Sequence, residues 1–190
     1  MARNPLKSPF TSPFFVPVML LAVFIVIGFF ALANKANRPD PNIATAPANT
    51  APPLNLVILK ESGEQKRFDL KSMNGQKVLV NYFASWCIPC ITELPMLRKI
   101  ARQNGLAIIG VAYNDGVDAV LNFFAKNGTA YSRVVLDPNG QAAIDWGVRA
   151  VPESFLVDEK GNVIAHYPGP ITDEVWVNVF ARYLPPPVIQ

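Results

Sequence analysis

Cysteine and histidine are almost missing from this chain: its 190 residues hold two cysteines and one histidine. A domain stapled by a disulfide framework needs several cysteine pairs, and a structural zinc needs about four ligands. His166 lies far from the cysteines, in Val163-Ile-Ala-His-Tyr167, so the zinc set is incomplete, and this histidine reads as an ordinary strand-face residue. Copper is a softer alternative, because thiolates select Cu(I), but no methionine or histidine stands beside the pair. Charge excess is missing too. Arg3, Lys7, Lys35, Arg38 and Asp40 precede Leu54, which leaves 13 basic and 13 acidic side chains from Leu54 to Gln190. The net +3 therefore belongs to the N-terminal part, and nothing steers the rest toward nucleic acid. No internal repeat is found.

What the chain does have is Trp86-Cys87-Ile88-Pro89-Cys90, directly after the apolar run Lys77–Phe83. A disulfide across two residues closes so short a loop that it restricts the unfolded chain very little. If a helix begins at Cys87, its free N–H groups and positive dipole end favour a thiolate there. That lowers the pKa of Cys87 and makes it the nucleophile. Pro89 suits the first turn, which tolerates a residue without an N–H, and Cys90 would be the resolving thiol. A redox-active pair is favoured over an inert or structural one, because the Cys-x-x-Cys sits beside a βαβ-like pattern. No cofactor or metal is expected beyond this Cys87–Cys90 couple.

Phe14–Ala33 is uncharged and mostly Phe, Val, Leu and Ile, about 20 residues and long enough to cross the bilayer as a helix. Arg3 and Lys7 before it favour a cytoplasmic N-terminus over residues 1–13 and export of the chain beyond the helix. Ala31-Leu32-Ala33 resembles a signal-peptide cleavage site, but the apolar run exceeds the usual h-region, which favours an uncleaved single-pass anchor. Residues 34–53, rich in Asn, Ala, Thr and Pro, read as a linker. Residues 54–190 suit one compact domain. An oxidising compartment would find no other thiol in this chain to mispair.

Within that domain, Leu54–Lys60 and Val78–Phe83 read as strands. Ile88–Gln103 carries Ile91, Leu94, Leu97, Ile100 and Ala101 at helical steps and stops at Asn104-Gly105; Pro95 predicts a kink. Leu106–Tyr113 is a strand and Val117–Lys126 a helix. Arg133–Leu136 is a strand, followed by a short helix near Ala142–Trp146. Ser154–Asp158 and Asn162–Tyr167 form a hairpin, and a helix over Asp173–Tyr183 ends before Pro185-Pro-Pro187. This order predicts an α/β fold with a central mixed sheet covered by helices on both faces, preceded by the apolar helix.

Trp-Cys-x-Pro-Cys after a strand, with Gly147-Val-Arg-Ala-Val-Pro-Glu-Ser-Phe155 about 60 residues later, resembles the thioredoxin superfamily. More closely, the chain is similar to membrane-anchored DsbE/CcmG-type thiol:disulfide interchange proteins of cytochrome c biogenesis, a TlpA/ResA-like group. The likeness runs from about Phe68 to Val175, through Val80–Cys87 and Gly110–Asn114.

The resemblance implies a thioredoxin-like fold and a cis-Pro152 facing the disulfide. It also implies that the backbone of Val151 is left free to pair with an extended peptide, with Trp86 at the active-site edge. Thioredoxin has a buried acid where this chain has Asn81, so proton transfer must come from elsewhere. Glu153 is the candidate for tuning or deprotonating Cys90. Glu93 is the alternative, read more readily as a solvated helix charge. Ala150 stands where many relatives have glycine and would be strained at positive φ.

The implied activity is reduction of apocytochrome c, or of a maturation protein carrying a Cys-x-x-Cys disulfide, on the periplasmic side of the inner membrane. Electrons would come from a membrane thiol-reducing protein. Reduction of other exported proteins, such as those with copper-site cysteines, and a non-catalytic tethered chaperone or metallochaperone stand as alternatives.

Overall fold

The computed structural model describes residues 15–36, 49–59 and 66–186. Residues 1–14, most of the expected linker (37–48), Lys60 and Pro187 lie outside the described residues. The chain divides into two units, residues 1–41 and 42–190.

In the first unit α1 spans Phe15–Ala36, three residues beyond the expected span, because Asn34-Lys35-Ala36 contains no helix breaker. Val16, Leu20, Phe24, Ile27 and Phe29 are all exposed, so the apolar character runs round the helix. Over the side chains described, no helix is long and apolar enough to cross a membrane.

Among the described residues, the second unit is built on a sheet of eight strands: β1 Asn49–Thr50, β2 Asn55–Ile58, β3 Arg67–Asp69, β4 Val78–Phe83, β5 Ala107–Tyr113, β6 Arg133–Asp137, β7 Glu153–Val157 and β8 Asn162–Pro168. Their order is β1-β8-β7-β4-β5-β6-β2-β3. The β4–β5 and β5–β6 pairs are parallel and the others antiparallel, the mixed sheet that the sequence predicts. The run Val-Leu-Val-Asn-Tyr-Phe places β4 at the centre, every residue buried, as a strand covered on both faces requires.

Side chains of β4 alternate between the two faces. Leu79 and Phe83 join a core with Leu94, Leu97 and Ile100 of α2 (Ile88–Asn104), Val120 and Phe123 of α3 (Val117–Asn127), and the C-terminal helix. Val78, Val80 and Tyr82 face the other core, with Trp146 and with Ala142 and Ala143 of α4 (Gln141–Asp145). The helix α2 passes through Pro95 and continues to Asn104. The last helix begins as α5 (Asp173–Val175), continues as a π-helical turn over Trp176–Phe180 and closes as a 3₁₀ turn over Ala181–Tyr183.

Two short strands depart from the expectations. Thr50 and Asn49 pair with Asn162 and Val163 at one edge, inside the segment read as linker. At the opposite edge, Arg67–Asp69 pairs with β2. Runs of two and three residues carry no readable alternation; backbone pairing alone defines them.

Candidate redox site

Cys87 is the N-cap of α2 and Cys90 its third residue, with Pro89 between them in the first turn. The two cysteines form a disulfide, and the Cys90 N–H points at Cys87 Sγ, 3.2 Å away. This helix-start amide, capped by the sulfur, is the group that favours charge on a Cys87 thiolate once the disulfide opens. Cys90 is fully buried and Cys87 nearly so. Trp86 (60% exposed) and Ile88 (74% exposed) flank them, so packing does not account for Trp86, and an apolar rim surrounds the buried sulfurs.

The approach to Cys87 is held from two sides. Asp115, in the middle of the β5–α3 connection, accepts hydrogen bonds from Ser85 N at 2.6 Å and Ser85 Oγ at 3.0 Å, which pins the loop before Trp86. Opposite lies the segment 147–152. The Val151–Pro152 peptide is cis, as the resemblance implies, and Val151 O stands 3.5 Å from Cys87 Sγ. With no S–H on a disulfide, this is a contact without a hydrogen bond. The left-handed residue of this segment is Gly147 (φ +72°), and Ala150 does not have positive φ, so the strain foreseen for alanine does not arise.

Asn81 anchors a buried polar array on the α2 side of the sheet. Its Nδ2 donates to Glu93 Oε1 at 3.0 Å and to Ser154 Oγ at 2.9 Å, while Tyr131 OH donates to its Oδ1 at 2.7 Å. Glu93 Oε2 accepts Ile171 N–H at 3.0 Å. Glu93 is thus a buried residue (2% exposed) and not the solvated charge expected from sequence. Burial pushes its carboxyl up to about 7, against the opposing pull of the Ile171 and Asn81 donors. Burial likewise raises the Tyr131 hydroxyl, which stays protonated and therefore donates. Gly110 makes room for this tyrosine: a Cβ there would lie 2.8 Å from Tyr131 Cγ.

Glu153 lies on the other face. It pairs in register with Tyr82, whose side chain belongs to the core opposite α2. Its Oε1 meets His166 Nε2 and its Oε2 accepts Arg149 N–H at 3.0 Å. A carboxylate there is separated by the sheet from Cys90, which corrects the expectation that Glu153 deprotonates it. His166, read as an ordinary strand residue, is a partner of a buried acid and stacks on Phe155 with centroids 4.3 Å apart. The geometry brings Cys87, Cys90, Trp86, Pro89, Val151 and Pro152 together at one end of the sheet. Asn81 and Glu93 lie beneath, on the α2 side. Of this array the resemblance singles out Asn81 and Glu93, and the apolar stripe on α2 passes through position 93; Asp115, Ser154 and Tyr131 were not singled out from sequence.

A dithiol–disulfide pair at the start of a helix, faced by a cis-proline loop on a mixed sheet, defines a thioredoxin-like thiol:disulfide oxidoreductase. The Redoxin family model matches residues 43–181, and the chain belongs to that family. It is 37% identical over 163 residues to the thiol:disulfide interchange protein HelX of Rhodobacter capsulatus, covering 85% of this chain and 89% of HelX. It is 34% identical over 174 residues to the DsbE homologue of Paracoccus denitrificans, with 90% and 93% covered. In fold it is similar to a secreted thiol-disulfide isomerase of Corynebacterium glutamicum, with a TM-score of 0.63 at 24% identity, covering 75% of this chain and 92% of that one.

Proposed function

We propose that the protein is a membrane-tethered reductant that keeps the haem-binding cysteines of an apocytochrome c, or of a maturation partner with the same Cys-x-x-Cys disulfide, in the thiol form. The observation that carries this reading is the Cys87–Cys90 disulfide at the α2 N-terminus, 3.5 Å from the carbonyl of Val151 beside cis-Pro152. Reduced Cys87 attacks one sulfur of the partner disulfide; a bond to Cys87 forms, the partner's S–S bond breaks, and its other sulfur leaves as thiolate. Cys90 then loses its proton and attacks Cys87, releasing the second partner thiolate. The partner gains two electrons, and Cys87–Cys90 is left oxidised until a membrane dithiol donor returns them.

Glu93 takes the proton from Cys90. It lies one helical turn away, is buried with it, and its carboxyl is held near neutrality, where proton acceptance is effective. Trp86 and Ile88 supply apolar contact, and Val151 supplies backbone pairing for an extended peptide. The uncharged run Phe14–Ala33, about 30 Å long as a helix, supports a single-pass anchor in the inner membrane with the redox domain on the periplasmic side. Such a tether raises the effective concentration of membrane partners.

Trapping tests the proposal. With Cys90→Ala, a mixed disulfide through Cys87 to an apocytochrome Cys-x-x-Cys-His segment is the expected product. Recovery of copper-site proteins alone would move the substrate elsewhere. Unimpaired cytochrome maturation by Cys87→Ser would make the protein a non-catalytic module.

A further inference from the structure

Among the buried acids, Glu153 has no part in the exchange chemistry. Glu153 is 1% exposed, and an ionised carboxylate in such a place costs several kcal/mol, on the order of the desolvation penalty, unless it is paired. Its two oxygens are divided between two elements. Oε1 meets Nε2 of His166 on β8; toward an ionised carboxylate, which only accepts, that ring nitrogen is the donor. Oε2 takes the N–H of Arg149, in the segment that leads to the cis peptide.

Three residues on, just past the end of β8, the chain grips the segment again, where Gly169 N donates to Pro152 O at 2.9 Å. Arg149 and Pro152 are therefore both tied to β7 and β8, and Val151 lies between the ties with its carbonyl against Cys87 Sγ. The histidine ring is itself fixed, stacked on Phe155, which meets Trp146 edge-on at 5.1 Å. A position needed only for packing would be served by an apolar side chain without the desolvation cost. Here the carboxylate spans from strand to loop.

We infer that His166 is a positioning residue for exchange with polypeptide disulfides: through Glu153 it holds Arg149–Val151 where the backbone of an incoming extended peptide pairs, and so favours cysteine pairs within polypeptides over small-molecule disulfides. This rests on the reading that Cys87–Cys90 exchanges with protein disulfides. His166→Leu leaves Glu153 Oε1 without its donor. His166→Gln restores one, since the side-chain amide nitrogen reaches a similar place. His166→Asn is polar but too short.

The test uses full-length protein in detergent, with an oxidised Cys-x-x-Cys-His peptide and with oxidised glutathione as substrates, each exchanged against the reduced enzyme. His166→Leu is expected to raise KM for the peptide about tenfold while kcat and the glutathione rate stay within about twofold. His166→Gln is expected to recover most of the peptide KM. If His166→Leu fails to fold by circular dichroism, His166→Asn is expected to show the same split. Equal losses on both substrates, no loss on either, or failure of folded His166→Gln to recover the peptide KM would overturn the positioning role. A wild-type enzyme that exchanges with glutathione but not with the peptide would instead overturn the underlying reading.

Discussion

Glu153 and Ser154 are adjacent in the chain yet serve opposite faces of the sheet. Ser154 joins Asn81, Glu93 and Tyr131 in an array buried under α2 and Cys90, whereas Glu153 reaches His166 and the backbone of the cis-proline segment. Both acids are buried, but they are bound differently. Glu93 faces only neutral donors, an amide side chain and a backbone N–H, so burial dominates and its proton is retained toward neutral pH. Glu153 faces a histidine ring, a partner able to carry charge. Glu93 sits on the face of the sulfurs with its carboxyl pKa raised, and Glu153 ties strand to loop.

The largest effect that tests this division is on the sulfurs themselves. Cys87→Ser is expected to abolish exchange with any disulfide, and Cys90→Ala to stop at the mixed disulfide, both read by non-reducing electrophoresis after alkylation. Without these outcomes the array on the α2 face has no reaction to serve.

Next in size is the titration of Glu93. Its folded carboxyl sits at about 7 against an ordinary 4.5, so between those values the unfolded chain has released a proton that the folded chain keeps. Stability of the oxidised protein therefore falls as pH rises from about 4.5 to 7 and stays lower above it, by on the order of 3 kcal/mol. Urea unfolding across this range is expected to show that slope, and Glu93→Gln to remove it. Glu153→Gln is expected to leave the slope in place, which separates the two faces directly.

Gly110→Ala would force a methyl against the Tyr131 ring at 2.8 Å, an overpacking cost of about 1–3 kcal/mol. It is expected to disturb the α2-side array and the pH slope with it, seen as a lower unfolding midpoint. Smallest in stability is Trp86→Ala: its side chain is largely exposed, so unfolding should shift by no more than about 0.5 kcal/mol, while peptide exchange slows through lost apolar contact.

The sequence carried the parts with strong period or strong motif. The β4 run, the helix that opens on Cys87 and the β7–β8 hairpin stand where the residues placed them, and Pro152 is cis as the resemblance implies. Edge strands of two and three residues did not, because their existence depends on a partner strand. Glu93 was legible in part: it precedes Leu94 and lies four residues before Leu97, on the buried stripe of α2, so its position on the helix outweighed its charge. Glu153 was not legible. All of β7 is buried, both parities are apolar or polar without preference, and nothing in Glu-Ser-Phe-Leu-Val says which face looks toward Cys90. His166 depends on Glu153 and was hidden for the same reason.

The central claim is that the Cys87–Cys90 couple runs as a reductant. Its reduction potential, measured on the full-length protein in detergent by equilibration with dithiothreitol or glutathione buffers, tests this most directly. A value near or below that of thioredoxin, about −270 mV, is the predicted result. A value near that of a strong oxidant, about −120 mV, would contradict it and make the protein a disulfide donor.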